Sequence, residues 1–207
     1  MARPVPTLDT ERALFADGAR VVVGIDEVGR GAIAGPVTVG AVALAAGCGP
    51  FPEGLADSKL LTPRRREAMV PLVRGWALAC ATGWASAAEI DRHGIVSALG
   101  LAASRAIAVL GAAADVLIVD GNTPFLLEEP GGPRVVLRVK ADRDCASVAA
   151  ASVVAKVERD ELMARLHADH PHYRWDSNKG YGAAVHTAAI RSHGTTEHHR
   201  TSWNLGV

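Results

Sequence analysis

Two adjacent carboxylates, Asp26 and Glu27, follow the apolar run Val21-Val22-Val23-Gly24-Ile25, and Gly29-Arg30-Gly31 comes directly after Val28. Two anions at the edge of an apolar core are costly without a cation, and hard divalent metals held by oxygen suit adjacent acids. The Gly-Arg-Gly turn offers backbone N–H groups, freely chosen dihedrals and a guanidinium, all suited to a phosphodiester or a sugar hydroxyl. The stretch points to metal and phosphate chemistry together.

Two further acids fit the same chemistry. Asp120 closes the apolar run Val116-Leu117-Ile118-Val119, and Asp142 follows Val135-Val136-Leu137-Arg138-Val139 by way of Lys140-Ala141. Neighbouring strand ends lie about 5 Å apart, so acids at equivalent ends can share an ion. An Asp after a strand also serves as a turn former or N-cap, and one of Asp142 and Asp144 is expected to cap a helix beginning near Cys145. Asp26 and Glu27 point to opposite faces of a regular strand, so joint ligation requires the strand to bend or end there.

The elements that must position these acids are read from periodicity and end signals. Strands are expected over 21–25, 37–44, 77–85, 116–119 and 135–139. Helices are expected over 64–74, with Thr62 as N-cap and Pro63 in the first turn, and over 87–93, 95–110, 146–167 and 183–192. Simplified, the order is β-β-β-α-β-α-β, an antiparallel meander continued by parallel crossovers in one mixed sheet. At 207 residues the chain supports one sizeable core, and the loop-like stretches 47–54 and 131–133 are too short for linkers, so 1–207 reads as a single domain.

Composition narrows the class. The chain is 49% hydrophobic and 21% charged, which is globular, and its formal net charge is zero, so any polyanion site must be a local patch. Residues 170–207 hold Arg174, Lys179, Arg191 and Arg200 against Asp176 and Glu197, a surplus of two positive charges. Cys48, Cys80 and Cys145 form no close pair, and the first twenty residues are unlike a secretory signal, so a reduced cytoplasmic setting is expected. The uncharged run 31–52 carries five glycines and three prolines, which argues against a membrane-spanning helix. Arg64-Arg65-Arg66 and Glu128-Glu129 read as solvated faces. Seven of the eight histidines lie after residue 166; His167, His170 and His172 suit a helix end better than a zinc site, and His198-His199-Arg200 reads as lining a nucleic-acid groove.

In order and spacing, Gly24-Ile25-Asp26-Glu27-Val28-Gly29-Arg30-Gly31, Asp57-Ser58-Lys59, Val119-Asp120-Gly121, Lys140-Ala141-Asp142, Ala151-Ser152 with Ala155-Lys156 and Arg159-Asp160, and Lys179-Gly180-Tyr181-Gly182 resemble the bacterial ribonuclease HII family. The resemblance runs from about Val21 to Trp203. It departs at Ala141, where the family more usually has Gly, and in the closing His199-Arg200-Thr201-Ser202-Trp203. It implies a ribonuclease H-like fold, a mixed five-stranded sheet flanked by helices with a helical C-terminal region, in which residues from about 170 form a substrate-contacting extension.

The resemblance also implies an endonuclease acting on RNA·DNA hybrids and on ribonucleotides embedded in duplex DNA. Asp26, Glu27, Asp120 and Asp142 would be the catalytic and metal-binding acids, with two Mg2+ or Mn2+ ions. Gly29, Arg30 and Gly31 would approach the ribose 2′-hydroxyl, Lys59 a phosphate, and Lys179 and Tyr181 the sugar-phosphate at the junction. The chain is expected to act as a monomer without a membrane; the sequence identifies no protein partner. Rival readings separate on context. A dinucleotide fold would need Gly-x-Gly-x-x-Gly before a helix, whereas Pro36 and a strand follow. A junction resolvase would share the acids but not the Tyr181 block. A non-catalytic hybrid binder has no use for four acids facing a polyanion.

Overall fold

The computed structural model describes residues 5–126, 128 and 130–207; Glu129 of the acidic run and the first four residues lie outside them. Its centre is a five-stranded sheet in the order β3-β2-β1-β4-β5, with β1 Val21–Val28, β2 Val37–Ala45, β3 Ala79–Ala85, β4 Val116–Asp120 and β5 Arg134–Arg138. The first three strands form the expected antiparallel meander, and β4 then pairs in parallel with β1, β5 with β4.

The helices are α1 Asp9–Ala16, α2 Pro63–Trp76, α3 Ala87–His93, α4 Ile95–Leu110, the one-turn α5 Ala141–Asp144, α6 Ala146–Asp169, the short α7 Trp175–Asn178 and α8 Ala184–His193. One sheet face packs on α4, where Val23, Ile25, Val39 and Leu117 meet Leu99, Ala102 and Ala106. The other packs on α6, whose first ten residues are all buried. That burial needs close approach: a Cβ on Gly24 would collide with the Ser147 backbone of α6, and one on Gly83 with Ala102 of α4. Small residues in the facing helices complete the fit, which is why the apolar half of α6 is mostly alanine and valine.

Four expectations are corrected. β3 starts at Ala79 rather than 77, because α2 runs on through Trp76. No helix forms among the described residues between β4 and β5. Asp142 is not at a strand end: β5 stops at Arg138, Lys140 turns with φ 63°, and Asp142 lies in α5. Neither Asp142 nor Asp144 caps α6. Glu11 of α1, an element unread in the sequence, does so from outside: its buried carboxylate accepts from Ser147 N (2.8 Å) and Ser147 Oγ (2.7 Å). No helix of the described residues is long and apolar enough to cross a membrane.

Candidate active site

The acids gather where the sheet changes partner. The parallel pairing of β1 with β4 ends at Ile25↔Val119, while β1 continues against β2 as far as Val28↔Thr38. Asp26 and Asp120 each follow that last parallel pair, and alternation sends both to the α6 face with Gly24 and Ile118. Glu27 stays within the strand and faces the other way. Because β4 has ended there, its charge still reaches Asp120.

Local hydrogen bonds hold the acids in place. Asp26 Oδ1 accepts from Glu27 N at 2.8 Å, and Asp120 Oδ1 accepts from Ala141 N at 2.7 Å, which ties the end of β4 to α5 and brings Asp142 beside it. The Asp57-Ser58-Lys59 turn is anchored on α6 by Ser58 N donating to Ser152 Oγ (3.0 Å), with Asp57 Oδ1 accepting from Lys59 N (2.9 Å). That anchor aims Lys59 at the acids, and its Nζ donates to Asp142 Oδ2 at 2.9 Å.

Charge accumulates in this cluster. Burial, then the carboxylates of Glu27, Asp120 and Asp142, push the Asp26 pKa well above the usual carboxylate range, with Lys59 opposing. Burial and Asp120 raise Glu27; burial and Asp142 raise Asp120. Burial lowers the Lys59 pKa, but the Asp142 hydrogen bond and the surrounding acids outweigh it and raise it overall. Arg30 Nη1 stands 3.9 Å from Glu27 Oε1. With Asp57, which lies 3.9 Å from Lys59 Nζ and 3.8 Å from Arg143 Nε, five carboxylates face one ammonium and two guanidiniums, which leaves surplus negative charge, and the donors are all hard oxygens, so the set fits Mg2+ or Mn2+ in kind. As they stand, no three His, Cys, Asp or Glu side chains among the described residues are arranged to hold one ion.

Beside the acids, the structure joins two sequence-distant turns. Ile33 N and Ala34 N both donate to Gly180 O (2.9 and 3.0 Å), fastening the loop after Gly29-Arg30-Gly31 to Lys179-Gly180-Tyr181. Tyr181 is 38% exposed, and Arg159 Cζ lies 5.7 Å from its ring centroid. A cleft of about 510 Å³ between α2 and α6 is lined by Arg66, Lys156, Asp160 and Lys179 among others, and none of the four acids lines it.

His199 and Arg200 do not line a groove; they are 2% and 0% exposed. His186 Nδ1 donates to Tyr181 O (2.9 Å), its Nε2 accepts from Trp175 Nε1 (3.0 Å) and faces His199 Nε2 (3.1 Å), and His199 Nδ1 accepts from Thr196 N (2.9 Å). Sequence reasoning missed this network and the carbonyl-binding role of Arg159 and Arg200. Arg159 stands in the charged half of α6 between Glu158 and Asp160, and Arg200 in a polar loop, so neither carries a sequence signal of its burial.

A mixed sheet in this strand order, with acids collected at the ends of β1 and β4, defines a ribonuclease H-like nuclease. The family model described as Ribonuclease HII matches residues 23–205. Ribonuclease HII of Streptomyces griseus is 50% identical over 203 residues, covering 96% of this chain and 84% of that protein. Among solved structures, the ribonuclease H2 of Pyrococcus horikoshii OT3 is similar at TM-score 0.71 and 22% identity, covering 89% of this chain and 94% of that one. The ribonuclease HII in a PCNA complex from Archaeoglobus fulgidus is similar at TM-score 0.70 and 27% identity, covering 88% and 95%. The chain belongs to the ribonuclease HII family and is an endonucleolytic hydrolase of the ribonuclease H type.

Proposed function

We propose that this chain is a divalent-metal-dependent endoribonuclease that cuts the RNA strand of RNA·DNA hybrids and incises 5′ to single ribonucleotides in duplex DNA. What supports the reading is that the carboxylates of Glu27, Asp120 and Asp142 all lie near enough to Asp26 to repel it, a few residues from the loop fastened to Gly180. The described chain acts as one catalytic domain, with residues from about 170 contacting substrate.

Asp26, Glu27, Asp120 and Asp142 are the residues that would hold Mg2+ or Mn2+, which supply nucleophile activation and charge relief on the phosphate oxygens when bound. Asp120 is oriented by the Ala141 N–H, while Asp142 is paired with Lys59 and would exchange that partner to take a metal ion. Water attacks the phosphorus, the bond to the 3′-oxygen breaks, and that oxygen takes a proton, leaving 3′-hydroxyl and 5′-phosphate ends. Selection of RNA over DNA rests on the 2′-hydroxyl, the group DNA lacks. Gly29, Arg30 and Gly31 present backbone N–H groups to it, Tyr181 closes the sugar pocket, and Lys59 and Lys179 face phosphates.

The test is a DNA duplex carrying one ribonucleotide, incubated with Mg2+, Mn2+ or chelator. Incision on the 5′ side of the ribonucleotide with either metal, none with chelator, and a 3′-hydroxyl terminus are expected. Cleavage in chelator, or of the all-DNA duplex at the same rate, would overturn the reading.

A further inference from the structure

Two arginines are fully buried with no carboxylate in salt-bridge reach among the described residues, and all their hydrogen bonds go to main-chain carbonyls. Arg200 donates to Gly29 O (2.7 Å), Arg30 O (2.9 Å) and, through two nitrogens, Gly35 O (3.1 and 3.2 Å). Arg159 donates to Pro36 O (2.9 Å), Ala34 O (3.2 Å) and Lys179 O (2.9 Å), and lies against the Tyr181 ring. A buried, unpaired guanidinium is expensive, and its carbonyl partners are what compensate it. Burial pushes the Arg200 pKa down to about 9, with the charge of Arg159 adding to the effect, so it remains a cation at neutral pH.

The arrangement fixes which way the loop points. With the carbonyls of Gly29, Arg30, Ala34, Gly35 and Pro36 turned inward, the Arg30 and Gly31 N–H groups donate to nothing else among the described residues. Both residues are exposed. Gly29, at φ 84°, is held against Arg159 so closely that a Cβ there would strike the guanidinium. Arg159 also spans both turns, since its carbonyl partners include Lys179 and its face carries Tyr181.

We propose that Arg159 and Arg200 are positioning residues that clamp the 29–36 loop and the 179–181 turn into one rigid surface for reading the ribose 2′-hydroxyl. Neither touches the substrate. The inference rests on the function proposed above, and it makes selectivity depend on two side chains beneath the surface. Lysine keeps the charge but not the planar fork that reaches two or three carbonyls at once.

Arg159→Lys and Arg200→Lys, with Arg200→Ala for chemical rescue, are assayed on a single-ribonucleotide duplex after folding is verified by circular dichroism. Each is expected to lower kcat about 10²-fold, as a misplacement of about 1 Å does, whatever the accompanying change in KM, because Lys179 belongs to the clamped turn. Methylguanidinium is expected to restore part of the Arg200→Ala rate, which a merely destabilised protein would not show. Folded variants with the parent kcat would overturn the proposal. So would a loss confined to KM. A parent enzyme that does not prefer the ribonucleotide duplex sinks the proposed function instead, so the two failures are distinct. Should the variants not fold, hydrogen exchange on the intact protein decides: the hydrogen-bonded amides of Ile33, Ala34, Gly35, Gly180 and Tyr181 are expected to open together at one rate, and separate rates would overturn the clamp.

Discussion

Lys59 Nζ donates to Asp142 Oδ2 at 2.9 Å, so the one ammonium in the acid cluster holds the carboxylate contributed by α5. Its side chain is 69% exposed, which makes the pairing water-like in strength. Lys59 therefore competes with any cation for Asp142. Lys59→Met is expected to tighten Mn2+ or Mg2+ binding about fivefold, the weight of ~1 kcal/mol for unit charges about 4 Å apart in water. It should also raise KM for the hybrid. Calorimetric titration with the metal checks the first effect and steady-state kinetics the second; unchanged metal affinity would contradict the competition.

The acids are placed for chemistry at a cost in stability. Burial and mutual repulsion raise the pKa values of Asp26 and Asp120 in the fold, so the charged forms are disfavoured there. The sign follows: this contribution favours the fold most at low pH and is lost as pH rises through the folded pKa values. Asp26→Asn and Asp120→Asn are each expected to abolish cleavage and, in chelator, to raise Tm at pH 7 by roughly 2–4 °C, equivalent to about 1 kcal/mol. Calorimetry with and without divalent ion reads this directly. A lower Tm in chelator would mean that the acids stabilise the fold.

Tyr181 is a large aromatic left 38% exposed between two glycines, on a turn fastened to the 29–36 loop. Tyr181→Ala is expected to slow incision at a single ribonucleotide on the order of 10²-fold while leaving the fold intact, because a contact that senses one hydroxyl is lost. Tyr181→Phe separates ring from hydroxyl. Equal rates for Tyr181→Ala and the parent would remove the residue from substrate recognition.

Glu11 caps α6 from another helix, and its Oε2 has no hydrogen-bond partner, so the buried carboxylate depends on Ser147 alone. Glu11→Ala is expected to destabilise the protein by about 2 kcal/mol, or roughly 4–8 °C in Tm, since both a cap and a buried packing group are lost. Thermal unfolding tests it, and a change below about 0.5 kcal/mol, the size of an ordinary surface substitution, would show that α6 needs no external cap.

Burial, with His186 nearby, lowers the pKa of His199 to about 4 from the ordinary 6.5. A base kept neutral in the fold stabilises it fully above pH 6.5 and loses that contribution as pH falls from 6.5 to 4. The loss amounts to about 3 kcal/mol at most. Because the acid cluster shifts stability in the opposite direction, the measurement is a difference: the pH slope of the parent against that of His199→Gln. The parent is expected to lose more stability between pH 6.5 and 4. Identical slopes would mean that His199 is not held neutral.

Much of the framework was legible because it follows from short-range rules. All five strands, the Thr62-Pro63 helix start and the α4 and α6 cores follow from apolar periodicity and end signals. Asp120 was readable as a strand-end acid for the same reason, whereas Asp26 lies inside β1, which runs on to Val28 past the point where its pairing with β4 stops. Asp142 was misplaced because Lys140 adopts a left-handed conformation, which a non-glycine residue rarely does, and so ends the extended run early. Helix α1 was missed because only Leu14 among its apolar residues is buried, too weak a stripe to read.

By itself the sequence determined the strands, the identity of the acids and the motif order that marks the family, since these depend on residue type and on neighbours a few positions apart. Only the tertiary structure decided that Glu11 caps α6, that Lys59 pairs with Asp142, and that Arg159 and Arg200 grip carbonyls more than a hundred residues away in the chain. A buried polar group must find a partner wherever the fold supplies one, and sequence spacing carries no record of which distant carbonyl or carboxylate that is.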